Sequence, residues 1–270
     1  MPQFISGKEI ADIKETDHNI RVQNLKQKGI IPRLAIIQTT ASSVIDMYIR
    51  VKKTYAEKIG VVVEHFTLEP DEVEKRIAEL NENPLIHGII VQLPLSKDLN
   101  QDSTLNLVTI QKDVDGLASG SPYVPPTVQS IMWLLDAYVS TLSQGKRIAL
   151  VGRGRLVGAP LEKQLLKKNI VLTVFTKNDT LSSLVDYDVI VSATGTPSLL
   201  TNTLVKENAF VLDAGTAEED GTIHGDAADE LYERGDIFIT PTKGGVGILT
   251  VRALFENVLH AAEESYKNVV

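Results

Sequence analysis

The sequence predicts an α/β fold in two domains, each built on a largely parallel sheet, and three observations carry that expectation. Short apolar runs of strand length alternate with amphipathic helix-length segments along the chain, the pattern of parallel strands joined by helical crossovers. A stretch rich in turn formers, Ser119-Gly120-Ser121-Pro122 followed by the Pro125-Pro126 pair, interrupts the alternation once. After that break an apolar strand, Arg147–Val151, runs into a turn with glycines at 152, 154 and 158 and then into a new helical pattern.

Composition sets outer bounds. The 270 residues suffice for two domains at about 100–200 residues each. A hydrophobic fraction of 43% beside 23% charged residues suits a chain that buries a sizeable core. The net charge of −8 argues against nucleic acid or an anionic membrane as a partner. With no cysteine there is no disulfide, no thiolate nucleophile and no Cys-ligated metal. The beginning of the sequence lacks the basic-then-apolar pattern of a secretory signal, and no apolar run approaches the roughly 18–20 residues of a membrane span. A cytoplasmic enzyme without a metal site is therefore expected.

The elements read as follows. Residues 7–28 are polar with apolar points at helical spacing, and Leu34–Gln38 is a short buried strand. Residues 43–59 place Val44, Met47, Tyr48, Val51, Tyr55 and Ile59 three and four apart, which predicts an amphipathic helix with that stripe inward. Gly60–Phe66 reads as a strand and 70–80 as a helix opened by Pro70 and acidic residues. Gly88–Leu95 reads as a strand that is apolar until Gln92. Beyond the break come an apolar helix over 127–139, the strand ending at Val151, and a helix over 158–168. Strands follow at Ile170–Phe175, Val189–Ala193, Phe210–Ala214 and Ile237–Thr240, and a helix over 249–266 comes last. The expected domains are 1–125 and 126–248, with the last helix, 249–270, returning to the first.

The glycine turn carries chemistry. Gly152-x-Gly154-x-x-x-Gly158 joins a strand to a helix, and glycine there lets backbone approach a pyrophosphate in a turn of unusual dihedrals. The helix that follows offers free N–H groups to phosphates, and Pro160 suits its first turn. The spacing is one residue longer than the G-x-G-x-x-G fingerprint, so a tight turn without a ligand is the competing reading. Where NAD sites usually carry an acid after the second strand, this chain reads Phe175-Thr176-Lys177-Asn178. A hydroxyl and an ammonium there, with Arg153 and Arg155 on the turn, suit a 2′-phosphate and favour NADP over NAD; a solvated Lys177 is the plainer alternative.

Six blocks stand in order along the chain: Tyr48-Ile-Arg-Val-Lys52, His87-Gly-Ile-Ile-Val-Gln-Leu-Pro-Leu95, Lys112-Asp-Val-Asp-Gly116, Val151–Pro160, Ala193-Thr-Gly-Thr-Pro197 and Gly244-Gly-Val-Gly247. Together they resemble the bifunctional methylenetetrahydrofolate dehydrogenase/methenyltetrahydrofolate cyclohydrolases. Read by residues alone, Tyr48 and Lys52 share a helix face as a packed tyrosine beside a surface lysine. Gln92 alone reads as a satisfied amide at a strand end, and Asp113-Val-Asp115-Gly116 as a structural turn. The resemblance implies more. Lys52 becomes the general acid/base, Tyr48 orients the folate, Gln92 hydrogen-bonds Lys52, and Asp115 hydrogen-bonds the pterin. Leu93, Pro94, Gly244, Gly245 and Val246 would complete the substrate contacts. Gly152, Arg153, Gly154, Val157, Gly158, Thr176, Lys177, Ala193, Thr194 and Gly195 would hold the dinucleotide. The implied architecture is an α/β catalytic domain and a Rossmann-like doubly wound domain with the active-site cleft between them. Tetrahydrofolate derivatives are the implied substrates and a homodimer the implied assembly.

This chain departs from the family in places. The link from Asp115 to Pro125 is short, Ile45 stands where a serine is typical, and Gly154 replaces a serine. The loop after Pro241 reads Lys243-Gly-Gly-Val-Gly-Ile-Leu-Thr250. A dehydrogenase without hydrolase activity and a catalytically silent binding protein are the two alternatives. The intact Tyr48, Lys52, Gln92 and Asp115 argue against both.

Overall fold

Strand β1 (Gln3–Phe4) and helix α1 (Lys8–Gln27) open the computed structural model, which describes residues 2–139, 145–219 and 222–267. There follow β2 (Arg33–Gln38), α2 (Ser43–Ile59), β3 (Val62–Thr67), α3 (Val73–Glu82), β4 (Gly88–Val91) and α4 (Gln101–Leu105). Local chemistry marks the ends of α2. The Ser42 hydroxyl accepts from the Val44 N–H at 3.3 Å, and Gly60 closes the helix at φ 82° with its N–H on the Ala56 and Glu57 carbonyls. Pro70 and a reciprocal cap between Glu69 and Glu72 lead into α3.

The chain divides into two units, one of Asp12–Pro126 with Val251–Val270 and the other of Met1–Ala11 with Thr127–Thr250. In the first unit three parallel strands run in the order β3-β2-β4. Central β2 is buried on both faces, and its side chains alternate between two cores. Leu34 and Ile36 pack with Ile45, Ile49, Phe255 and Val258, while Ala35 and Ile37 pack with Val73, Ile77 and Leu80. Lys112 caps the far end of α3, its ammonium donating to the carbonyls of Leu80, Asn81 and Asn83 at 2.7–3.0 Å. In this chain the first residue of the Lys112–Gly116 block is therefore structural.

The second unit continues with α5 (Pro126–Tyr138), β5 (Ile148–Val151), α6 (Gly158–Lys167), β6 (Thr173–Phe175), β7 (Val189–Ser192) and β8 (Phe210–Asp213). A short antiparallel hairpin, β9 (Ala217–Glu219) with β10 (Thr222–His224), precedes β11 (Phe238–Ile239) and α7 (Val246–Lys267). Six parallel strands run β1-β11-β8-β7-β5-β6. The chain passes from β5 outward to β6, then returns to the other side of β5 as β7. The doubly wound order therefore reverses at β5, where open α/β sheets hold their ligands beyond the carboxyl ends. Among the described residues no helix is long and apolar enough to cross a membrane.

Several expectations need correction. Residues 1–11, expected in the first domain, lie with the second unit because β1 pairs with β11; a two-residue strand has no periodicity to read. The strand expected over Gly88–Leu95 stops at Val91, where Gln92 and a cis Leu93–Pro94 bond leave the sheet. The strand expected from Ile170 begins only at Thr173. On α2 the buried residues are Ile45, Ile49, Tyr55, Ala56 and Ile59, whereas Met47, Tyr48 and Val51 are exposed. The helix carries apolar residues on two faces, and packing rather than periodicity chose between them.

A charged cluster ties α1 to α7 within the first unit. Glu256 receives Arg21, Lys14 at 3.1 Å, and buried His18 through Nε2 at 3.4 Å. Tyr55 donates to His18 Nδ1 at 2.9 Å, consistent with the proton on Nε2. Asp17, His18 and Glu256 have a metal-like spacing, but these cations already balance the carboxylates. Burial opposes ionisation of Glu256; the His18 hydrogen bond and the charges of Arg21 and Lys14 outweigh it and hold its carboxyl well below the ordinary 4.5. A depressed carboxylate stabilises the fold above its unfolded pKa and loses that contribution as pH falls through the folded value. Glu256→Gln should cost about 2 kcal/mol at neutral pH and flatten the loss of stability below pH 4.5. Urea melts across pH 3–7 check this; an unchanged acid limb would refute it.

Candidate active site

Lys52 sits where the fold wants an apolar residue. Ile45, Ile49, Lys52, Ala56 and Ile59 follow one another at spacings of four, three, four and three, so the lysine occupies a core-facing position of α2. It is half-buried, and removal of its ammonium from water lowers its pKa, the Asp115 carboxylate opposing the shift. Its ammonium donates to Gln92 Oε1 at 2.7 Å. The Gln92 amide has a set orientation, because Nε2 donates to the Leu93 carbonyl at 2.9 Å and leaves Oε1 toward the lysine. The bend of the chain after β4 thus presents Gln92 to α2. A neutral amide accepts the lysine's proton as a hydrogen bond without adding the charge that would raise its pKa.

Asp113 and Asp115 have different tasks. Asp113 is buried, accepts the Ala118 N–H at 2.8 Å, and is pushed up to about 6 by burial. It shapes the turn that Gly116 closes at φ 68°, where a Cβ would stand 2.8 Å from the Tyr123 carbonyl oxygen. Asp115 is half-buried and couples electrically to Lys52, burial raising its pKa and Lys52 lowering it. Tyr48, one turn before Lys52 on α2, is 37% exposed. Leu93 is half-buried and Pro94 exposed beside Gln92. Tyr48, Lys52, Gln92 and Asp115 are thus carried by the same unit.

Gly244, Gly245 and Val246, expected among the substrate contacts, belong to the second unit. Val246 is buried and begins α7, three residues earlier than expected. A Cβ on Gly245 would lie 2.8 Å from the Pro241 carbonyl oxygen, so close packing accounts for that glycine.

The residues expected to hold a dinucleotide lie at the switch point. Gly152 leaves β5 at φ 94°, and a Cβ there would stand 2.8 Å from the Ala193 carbonyl oxygen. The loops after β5 and β7 therefore pack backbone to backbone, which joins Gly152 to Ala193, Thr194 and Gly195. Gly158 closes the turn; its Cβ would meet the Gly152 carbonyl oxygen at 2.1 Å. Gly154 faces open space. Val157 precedes α6 without a side-chain cap; in the first turn of α6 the Ala159 N–H donates to the Gly154 carbonyl at 3.0 Å and Pro160 brings no N–H, so a phosphate there would rely on the glycine backbone of the turn. The residues fit a dinucleotide. Thr176 and Lys177 follow β6, but an acid does come to this tip. Asp179 folds back to accept from the Thr176 N–H at 2.8 Å and its hydroxyl at 2.7 Å. Exposed Arg153 pairs with Glu162 through Nε at 2.6 Å. Sequence order hid both partners, one of them nine residues away on α6.

Two family models match the chain in succession. Residues 5–115 match the family model described as "Tetrahydrofolate dehydrogenase/cyclohydrolase, catalytic domain" and residues 125–266 the one described as "Tetrahydrofolate dehydrogenase/cyclohydrolase, NAD(P)-binding domain". The chain belongs to the tetrahydrofolate dehydrogenase/cyclohydrolase family. It is 35% identical over 275 residues to the bifunctional protein FolD of Staphylococcus aureus, covering 96% of each chain. The crystal structure of the bifunctional FolD of Campylobacter jejuni superposes with a TM-score of 0.89 at 31% identity, covering 98% of this chain and 99% of that one. FolD of Trypanosoma brucei, solved with NADP cofactor and an inhibitor, reaches 0.89 at 28%, covering 99% and 100%. The unit built on β3-β2-β4 corresponds to the catalytic domain of the family. The six-stranded unit corresponds to its NAD(P)-binding domain.

Proposed function

We propose that this enzyme oxidises 5,10-methylenetetrahydrofolate to the 5,10-methenyl cation with NADP+ and hydrolyses that product to 10-formyltetrahydrofolate. The observation that carries the reading is the half-buried Lys52 bonded at 2.7 Å to an oriented Gln92, in the unit that matches the catalytic domain. Bound NADP+ supplies the hydride acceptor. The chain's own residues do the rest. Asp115 accepts from the pterin N–H groups and Tyr48 packs against the ring, setting the folate before Lys52. A lysine with lowered pKa can take a proton from the water that adds to the methenyl carbon and return it to the leaving ring nitrogen, the remaining hydroxyl proton passing to solvent as the formyl C=O forms. Gln92 holds the ammonium in place between the two transfers. Leu93 and Pro94 border the pocket on the Gln92 side. The retained lysine–glutamine contact favours both activities over a dehydrogenase alone or a silent binder.

On the dinucleotide side, Gly152, Gly154, Val157 and Gly158 would cradle the phosphates, with Ala193, Thr194 and Gly195 on the far lip of the crevice. Arg153, Thr176 and Lys177 would meet a 2′-phosphate. The NADP-bound trypanosomal relative supports that cofactor. A 2′-phosphate competes with Glu162 for Arg153 and with Asp179 for Thr176, so the preference rests on charge-assisted bonds won against these partners. Such bonds are worth roughly ten- to 150-fold, and kcat/KM for NADP+ should exceed that for NAD+ by about that factor. Parallel assays with the two nucleotides check this, and equal values overturn it. A homodimer in the cytoplasm completes the proposal on the strength of the family resemblance.

A further inference from the structure

The loop that forms the far lip of the dinucleotide crevice hangs on one buried carboxylate. Asp226, fully buried, lies 30 or more residues beyond that loop in sequence. Its Oδ2 accepts the Ser192 hydroxyl at 2.5 Å and the Thr194 N–H at 2.8 Å, and its Oδ1 accepts the Thr196 N–H at 2.9 Å. Thr194 adds a hydroxyl that accepts the Thr196 N–H at 3.1 Å. A Cβ on Gly215 would fall 2.0 Å from Asp226 Oδ1, so the carboxylate rests directly against glycine backbone.

A second carboxylate holds the first. Asp213, at the end of β8, accepts from the N–H groups of Gly215, Asp226 and Ala227 at 2.9–3.1 Å. A Cβ on Gly225 would stand 2.1 Å from Asp213 Oδ2, so each aspartate is seated against a glycine beside the other. Among the described residues neither carboxylate takes part in an ion pair. Both carboxylates are held by hydroxyl and backbone N–H donors, an arrangement that costs stability unless every donor stays in place. The donors on Asp226 come from residues 192–196, the segment beyond β7 at the switch point.

We propose that Asp226 is a positioning residue for the dinucleotide, acting through the Thr194–Thr196 backbone and touching neither substrate nor cofactor. The inference rests on the reading that Ala193, Thr194 and Gly195 contact NADP+. Asp226→Asn keeps the shape but turns an N–H2 toward at least one of the donors now bonded to a carboxylate oxygen. The loop then loses its anchor, and binding of NADP+ must reorder it.

The test is NADP+ affinity by calorimetry, with steady-state kinetics of both reactions on the full-length enzyme. In Asp226→Asn the Kd and KM for NADP+ should rise roughly tenfold or more, while kcat at saturating NADP+ stays within about twofold because bound cofactor restores the loop. Hydrolysis of supplied 5,10-methenyltetrahydrofolate should be unchanged, which reports that the chain is folded. Ser192→Ala removes a single bond to Asp226 and should raise KM about threefold; it decides the matter if Asp226→Asn does not fold. Unchanged Kd and KM in the folded variant would overturn the proposal, as would a fall in kcat with KM unmoved. If the unaltered enzyme binds no NADP+, the cofactor reading fails instead.

Discussion

Lys52→Met should lower the turnover of 5,10-methenyltetrahydrofolate hydrolysis by about 10²–10⁴-fold, the usual contribution of a positioned acid/base group. Methionine keeps the length and apolar stem that α2 places in its core-facing stripe, so the helix should hold its packing. What disappears is the ammonium that donates to Gln92. NADP+ affinity should not change, because the dinucleotide residues belong to the other unit. The sign of the pH dependence also follows. Burial lowers the Lys52 pKa from 10.5, so its neutral, proton-accepting form grows in as pH rises through that lowered value. The ascending limb of hydrolysis should therefore lie below pH 10.5 and vanish in the variant. Turnover equal to that of the unaltered enzyme would remove Lys52 from the mechanism.

The second large effect is expected at the glycine turn. An alanine Cβ at 158 would sit 2.1 Å from the Gly152 carbonyl oxygen, 2.8 Å from its carbonyl carbon and 2.9 Å from the Arg153 Cα. All three atoms are backbone, so no side chain can swing aside and the turn itself must open. Gly158→Ala should weaken NADP+ binding by at least about tenfold and cost on the order of 1–3 kcal/mol of stability, the range for an unrelieved overpacking. Gly154→Ala is the control for the fold: nothing lies within 4 Å of a Cβ there, so its stability should be unchanged. Urea melts of both variants, with calorimetric titration of NADP+ into Gly158→Ala, check this; an unaltered NADP+ affinity would show that the turn does not hold the cofactor as described.

Some of the site was visible in the residues and some was not. The motif spacing located the turn between β5 and α6, because spaced glycines after an apolar strand are a local pattern. Lys52 carried a legible signal that apolar periodicity obscured: it falls in the series Ile45, Ile49, Lys52, Ala56, Ile59, while the expected stripe took in the exposed Met47 and Val51. Both stripes satisfy the helical period, so only the arrival of β2 and α7 against α2 selects one. Asp179 was close in sequence but its fold-back was not readable, because a turn of three residues has no periodicity. Asp226 gave no sign at all. Its partners Ser192, Thr194 and Thr196 precede it by 30 to 34 residues; Ser192 donates its hydroxyl, and Thr194 and Thr196 donate backbone N–H groups, which all residues but proline possess.

By itself the sequence determined the alternation of strands and helices, the break near residue 120, the turn at Gly152–Gly158 and the six blocks that mark the family. These are local in the chain, or repeated in it, and local patterns survive being read in one dimension. Tertiary structure alone decided which face of α2 is buried, that β1 joins the second sheet, that Asp113 shapes a turn while Asp115 couples to Lys52, and that the Leu93 carbonyl orients the Gln92 amide. Each of these depends on which group arrives to pair a strand, exclude water or accept a proton. For Gly158, spacing could mark a glycine, but only the Gly152 carbonyl lying against it shows why no larger residue fits.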